Sequence, residues 1–158
     1  MPTVRILPWS DDLAQAFHDI NAEWIEAMFE MEALDRAVLE HPREYIVDND
    51  GVVLFAEVDG LGVVGTGALM KAGEGAFELT KMGVRETARG LKAGEALLER
   101  LIDEARARDA HELFLLTNAR CEAAIHLYEK LGFVHDADIM ARYGAEYVRC
   151  NVAMRYPF

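Results

Sequence analysis

Cysteine is scarce in this chain: Cys121 and Cys150 are the only two among 158 residues. Two thiols cannot build a disulfide framework, and their separation is not that of metal ligands. The 5 histidines form no ligand pattern either, so both cysteines are expected to be free and no metal is expected. Positive charge is also short. There are 16 Lys and Arg against 28 Asp and Glu, a net charge of −12. An acidic surface repels phosphate backbones, which argues against nucleic acid as a main partner, and the same field would favour a cationic amine. No apolar run approaches the roughly 18 residues a membrane span needs. The opening stretch Met1–Pro8 is too short and interrupted for a secretory signal. A cytoplasmic protein without membrane association is expected. Repeats, low-complexity tracts and linkers are missing too, so residues 1–158 read as one domain. What is plentiful is apolar side chain, at 52%, enough for a sizeable core.

The order of elements follows from periodicity. Val4–Leu7 reads as a short strand. Ser10 offers a helix cap ahead of Asp11 and Asp12, and Leu13, Ala16, Phe17, Ile20, Trp24, Ala27, Met28 and Met31 recur at helical spacing. A second helix spans Ala33–Glu40 and stops before Pro42. Four strands are then expected, at Glu44–Asp48, Val52–Val58, Gly62–Lys71 and Phe77–Val84, with short turns between them that imply an antiparallel meander. The period next becomes helical through Leu91, Leu97, Leu98, Leu101, Ile102 and Ala105, and an apolar run, Leu113–Thr117, follows as a buried strand. Strand, helix and strand in that order make a parallel crossover. A helix over Glu122–Leu131, capped by Gly132, precedes final strands at Phe133–Asp136 and Tyr147–Arg155. The whole is a mixed, mostly antiparallel α/β sheet with helices on both faces.

One loop carries chemistry on physical grounds. The strand ending at Val84 runs through Arg85 into Arg89-Gly90-Leu91-Lys92-Ala93-Gly94 and then a helix. A helix start offers free N–H groups and partial positive charge, and small residues let an anion approach. Cationic Arg85, Arg89 and Lys92 oppose that dipole, a conflict that a bound pyrophosphate would remove. Solvated surface charges, partly offset by Glu86 and Glu95, would give the same pattern, and a short Gly-rich loop alone does not decide. No Gly-Lys-Ser/Thr follows, which excludes a nucleotide P-loop. The preceding strand ends a meander, which disfavours a dinucleotide fold.

Two segments decide between these readings. Glu78–Val84 leading into Arg89–Gly94 resembles the central motif of the GNAT family of N-acetyltransferases. Ala124-Ile125-His126-Leu127-Tyr128-Glu129-Lys130-Leu131-Gly132-Phe133 resembles the family's second motif closely. The resemblance implies a single-domain fold of about six to seven strands, splayed between the fourth and fifth, with acetyl-CoA as cofactor and CoA as product. Its pantetheine arm would bond the free backbone at Met82, Gly83 and Val84, as an added strand would. Gly83 is expected to mark a bulge. The phosphates would sit on Arg89, Gly90, Leu91, Lys92, Ala93, Gly94 and Glu95. The chain departs from the pattern twice. Lys92 replaces a glycine, so the loop is expected to be right-handed there or slightly altered. Cys121 stands where asparagine is common, so Asn118 would take over that cofactor contact.

The resemblance also implies a mechanism: direct attack of a primary amine of a small molecule, amino acid or peptide. Tyr128 is the candidate general acid and Glu78 the candidate base. Alternation along the strand would put Glu78, Thr80 and Met82 on one face and Phe77, Leu79 and Lys81 on the other. Trp24, Met28, Phe29 and Glu32 are candidates for the acceptor site. A nucleophilic role for Cys121 at a helix start is a minor alternative. A non-catalytic acyl-CoA sensor is the competing function, and the altered glycine at Lys92 is the feature that favours it. The terminal strand could join a homodimer interface.

Overall fold

Short polar turns separate the three strands between residues 52 and 84, and that spacing fixes their antiparallel pairing. In the computed structural model, which describes residues 2–158, β1 (Val4–Pro8), β2 (Val52–Val58), β3 (Gly62–Gly73) and β4 (Ala76–Val84) are consecutive antiparallel neighbours. Met1 of the N-terminal stretch lies outside the described residues. Helix α4 (Ala93–Ala107) then carries the chain across the sheet to β5 (Glu112–Thr117), parallel to β4. Strand β7 (Val152–Arg155) pairs antiparallel with β5, and β6 (Val134–His135) closes the far edge, giving the order β1-β2-β3-β4-β5-β7-β6. No helix among the described residues is long and apolar enough to cross a membrane.

Each face of the sheet buries an apolar layer. On one, α4 inserts Leu97, Leu98 and Leu101, and α5 (Glu122–Lys130) inserts Tyr128, against Leu54, Leu79, Leu113 and Leu115. On the other, α1 (Ala14–Met28) and α2 (Ala33–Glu40) pack Phe17, Ile25, Val38 and Leu39 on Val53, Phe55 and Ala68. Strand β2 is buried on both faces from Val52 to Ala56, which is why those five residues are all apolar rather than alternating. The helical stripe of α1 runs through Ile20 and Ile25 to Asn21, whose amide donates to the Phe17 carbonyl and accepts from the Trp24 indole.

Three expectations change. Glu44–Asp48 is not a strand: Pro42 opens the short helix α3 (Pro42–Tyr45), followed by a 3₁₀ turn at Val47–Asn49. Proline suits the first helical turn, where its missing N–H costs nothing. The segment after β6 folds into α6 (Ala137–Tyr143), started by the Asp136 side chain accepting from the Ile139 amide. The last strand is shorter than expected because Glu32 accepts the amide N–H groups of Val148 and Arg149, diverting them from any ladder. Strand β7 lies between β5 and β6, and β6 pairs with its last two residues, Met154 and Arg155. Tyr156 packs edge-on against Phe133 and Phe158 of its own chain.

Candidate active site

The parallel ladder between β4 and β5 stops early. It runs from Ala76 opposite Glu112 to Leu79 opposite Leu115. Beyond that point the strands part, and Thr80–Val84 have no partner on the β5 side. The cause is a bulge in β4. Thr66 faces Gly83 and Ala68 faces Thr80, so Lys81 and Met82 together oppose Gly67. Lys81 is left-handed, with φ of 51°, the position that bulges commonly give to glycine. The bulge therefore sits at Lys81 and Met82, not at Gly83. Gly83 is small for another reason: a Cβ there would fall inside the Trp24 indole.

The bulge also shifts the faces of the strand. Lys81 turns to the same side as Glu78, toward α2, whereas Met82 and Val84 turn to the α4 side. The expected grouping of Glu78, Thr80 and Met82 thus breaks at Met82. The Arg85 amide donates to the Val64 carbonyl at 2.8 Å. Backbone groups in a ladder alternate in direction, so the N–H and C=O of Val84 and Met82 point into the gap.

The loop after β4 delivers a second set of free donors. Lys92 is the N-cap of α4, with φ of 62° and ψ of 23°. The expectation of a right-handed or altered loop is overturned: the lysine adopts the left-handed geometry that a glycine would have. The first amide of α4 with a backbone acceptor is Ala96, bonded to the Lys92 carbonyl. Those of Ala93, Gly94 and Glu95 are left over at the helix start. Gly90, with φ of 84°, has open space around it. Leu91 packs on the core. Arg89 is exposed and pairs with Glu86 at 3.4 Å, whereas the Glu95 carboxylate is held by Lys130 at 2.9 Å.

Between the strands lies a cleft with about 50 Å³ enclosed. Its walls include Leu79–Met82, Leu115–Asn118, Cys121 and Tyr128, together with Trp24, Phe29, Tyr147, Arg149 and Cys150. Tyr128 is buried and packs edge-on against Phe133, and its hydroxyl has no protein partner among the described residues. Burial, and then the neighbouring Cys121, push its pKa up. Asn118 lines the cleft, but its amide is engaged: it donates to the Arg149 carbonyl and accepts from the Arg120 amide. Cys121 and Cys150 are free thiols.

Glu78 does not line the cleft. It is 3% exposed, beneath the wall, and burial followed by the charge of Glu146 pushes its pKa up to about 8. A carboxyl so placed is held largely in its protonated form at neutral pH and lies outside the cleft lining, so a direct base role has no geometric support. Lys81 takes its place on the wall. Its ammonium donates to Asp35 and to the Tyr147 hydroxyl, both at 2.9 Å. Arg149 donates to both Asp35 oxygens, at 2.6 and 2.7 Å. Burial alone would raise Asp35, but hydrogen bonds from Arg149 and the charge of Lys81 outweigh it and hold it at about 2. Desolvation pulls Lys81 down from its ordinary value despite Asp35.

Of the four acceptor candidates, the structure brings Trp24 and Phe29 to the cleft. Met28 is not on its wall; its carbonyl accepts from Arg120. Glu32 faces inward to the chain, where it accepts from the Val148 and Arg149 amides and the Arg149 guanidinium and completes a capping box with Asp35.

The acetyltransferase (GNAT) family model matches residues 13–133. The chain belongs to the GNAT family. The splayed seven-stranded sheet is the GNAT fold. It is 46% identical over 72 residues to an IAA acetyltransferase of Azospirillum brasilense, a match spanning 45% of this chain and 47% of that relative. The chain thus spans about half the length of the curated relative that it matches. Its fold is similar to that of a GNAT acetyltransferase from Staphylococcus aureus, with a TM-score of 0.86, 18% identity and 98% of each chain covered. It is also similar to the PaiA N-acetyltransferase of Thermoplasma acidophilum in complex with coenzyme A, with a TM-score of 0.73, 15% identity and 99% of each chain covered.

Within this GNAT chain, sequence reasoning missed Lys81, Asp35, Tyr147 and Arg149. Lys81 and Asp35 are 46 positions apart, and Asp35 and Arg149 are 114 apart. One signal was available. Asp35 recurs three residues after Glu32 at a helix start, and Lys81 is a charge in the middle of an apolar strand, which calls for a buried partner.

Proposed function

We propose that the chain transfers an acyl group, acetyl in the first instance, from acyl-CoA to a primary amine by direct attack within a ternary complex. The observation that carries this reading is the Tyr128 hydroxyl, unpartnered by protein and facing a cleft whose opposite wall is the free backbone of β4. An extended, amide-bearing arm fits that wall, because Met82 and Val84 offer it donors and acceptors as a strand would. A pyrophosphate fits the loop, because three amides at the start of α4 are free there and the exposed Lys92 side chain beside them has no carboxylate partner. The bound thioester would supply the activated acyl group and the leaving sulfur. The small enclosed volume suits a short acyl chain.

Each remaining task falls to the chain's own residues. The backbone N–H groups of Met82 and Val84 can polarise an oxygen placed between the strands. Tyr128 keeps its proton throughout the working pH range, since burial raises its pKa. That makes it a dependable hydrogen-bond donor and a reluctant acid, because efficient proton release needs a pKa near the working pH. Its work is donation at the phenolic oxygen rather than full transfer. The amine must arrive deprotonated. No carboxylate lines the cleft, while Lys81 and Arg149 do, and cations on the wall lower the pKa of a bound amine. Water in the cleft then removes the amine's proton. The sensor reading loses its support, since Lys92 reproduces the glycine geometry whose apparent loss had favoured it.

Thiol release from acetyl-CoA with a panel of amines tests the proposal. Amine-dependent turnover is expected, and Tyr128→Phe should lower kcat about 10- to 100-fold with little change in KM, the worth of one hydrogen bond to developing charge. Tight CoA binding without turnover on any amine would sink it, as would a silent Tyr128→Phe. Mass spectrometry of the enzyme held with acetyl-CoA should show no acyl adduct at Cys121.

A further inference from the structure

The charge of the cleft contradicts the charge of the chain. With a net −12 overall, a random patch of surface would carry carboxylates. The cleft wall has none, and it has two cations, Lys81 and Arg149. Those two are already balanced from behind: Asp35 binds both, and Glu32 binds Arg149. Burial keeps Glu78 largely protonated at neutral pH. One further cation stands beside that wall, behind the lining residue Phe29 and without a counter-ion. The Arg120 guanidinium lies over the Phe29 ring, 5.1 Å from its centroid, and Phe29 lines the cleft. Among the described residues, Arg36, Arg85, Lys92 and Arg120 are the basic side chains with no carboxylate partner.

Arg120 is held rather than loose. One of its nitrogens donates to the Met28 carbonyl at 2.8 Å, closing the C-terminal end of α1. Its own amide is fixed by the Asn118 side chain at 2.8 Å. The ring beneath it adds a cation–π contact. These contacts use one N–H of five, and the rest of the planar fork faces out with a full charge. A fork so fixed matches a carboxylate, which it can bind through two parallel hydrogen bonds. A diamine would meet only repulsion at the same place.

We infer that the acceptor is an amine that also carries a carboxylate, bound by Arg120 at the mouth of the cleft with its apolar part against Phe29 and Trp24. This inference rests on the amine-acyltransferase reading and narrows its acceptor. It also narrows the expectation that the acidic chain favours a cationic amine: the net charge of the chain is negative, but the cations beside the cleft are not matched by carboxylates on its wall.

The test is thiol release from acetyl-CoA with paired acceptors. The panel holds α-amino acids, ω-amino acids of increasing length and dipeptides, each beside its carboxamide, with aliphatic diamines as the opposite charge. Free acids should exceed their carboxamides about tenfold in kcat/KM, through KM, which is the scale of one charged hydrogen-bonded contact. Arg120→Gln should bring that ratio close to one, and Arg120→Lys should keep part of it. The spacer length of the best acceptor then reads the distance from Arg120 to the reacting amine. Carboxamides or diamines matching the free acids would overturn the inference, as would a ratio that survives Arg120→Gln. The wild-type ratio needs no variant, so it stands even if loss of the Met28 contact unfolds the substituted protein. If no amine of any charge raises thiol release, both readings fall; if diamines alone do so, only this one falls.

Discussion

Two lysines hold backbone conformations that favour glycine, Lys81 on the cleft wall and Lys92 at the start of α4. Lys81 and Lys92 have φ of 51° and 62°, and each such residue costs on the order of 1–2 kcal/mol. At Lys81 the ion pair with Asp35 and the hydrogen bond to Tyr147 offset that cost. Lys92 has no such partner, and its side chain is exposed. Replacing it by glycine removes the strain but returns roughly 0.5–1 kcal/mol of chain entropy to the unfolded state. Lys92→Gly should therefore change stability by less than about 1 kcal/mol in denaturant unfolding. CoA affinity should fall several-fold, with a shallower dependence on salt, because one charge on the phosphates is lost. An unchanged salt dependence in calorimetry would show that the ammonium plays no part. Neither conformation could be foreseen from sequence, because a lysine at positive φ leaves no compositional trace.

Elements with a full period were legible. The α2 helix is Ala33–Glu40 and β2 is Val52–Val58, as periodicity predicts, and Tyr128 falls on a helix as its segment requires. Failures came where an element was too short for its period to repeat. α6 covers Ala137–Tyr143, two turns at most, and the short apolar run Tyr45–Val47 within Glu44–Asp48 lies in a helix and a 3₁₀ turn. Strand β4 failed differently: its alternation is right up to Thr80 and reversed after the bulge. The structure also ties β4 to α1 through one contact, Gly83 under the Trp24 ring. Gly83→Ala would push the indole away from both the cleft and Asn21. Overpacking of this kind costs roughly 1–3 kcal/mol. The variant should melt lower and show a raised KM for the acceptor, and normal melting with an unchanged KM would mean that the ring has room to yield.

At the scale of the molecule, its two most perturbed carboxyls act in different pH windows. Glu78 rises from 4.5 to about 8 on folding, chiefly through burial. Between those values the unfolded chain has released a proton that the folded protein keeps, so stability falls as pH rises across the window. Glu146 is raised as well and adds in the same direction. Asp35 falls from 3.8 to about 2; its contribution is full above the unfolded value and is lost as pH drops toward 2. The melting temperature should therefore decline from about pH 5 to pH 8, and Glu78→Gln should flatten that decline. Equal slopes for the two proteins would exclude Glu78 as its source. These windows were not legible in the sequence, because they arise from contacts between distant segments.

The bulge in β4 has a consequence in the arithmetic of chain length. Thr80 and Gly83 face one side of the sheet and Leu79, Met82 and Val84 the other, so removing Lys81 alone would leave every one of them on the face it already occupies. The strand would be regular, and its ladder with β5 would be free to run on past Leu79. Asp35 would lose one of its two cations and the cleft one of its walls, with no apolar contact displaced. An unbroken sheet and a sheet that can admit a ligand thus differ in this protein by one residue, and insertion or deletion at that single point, rather than any exchange of side chains, is the change to which the site is most exposed.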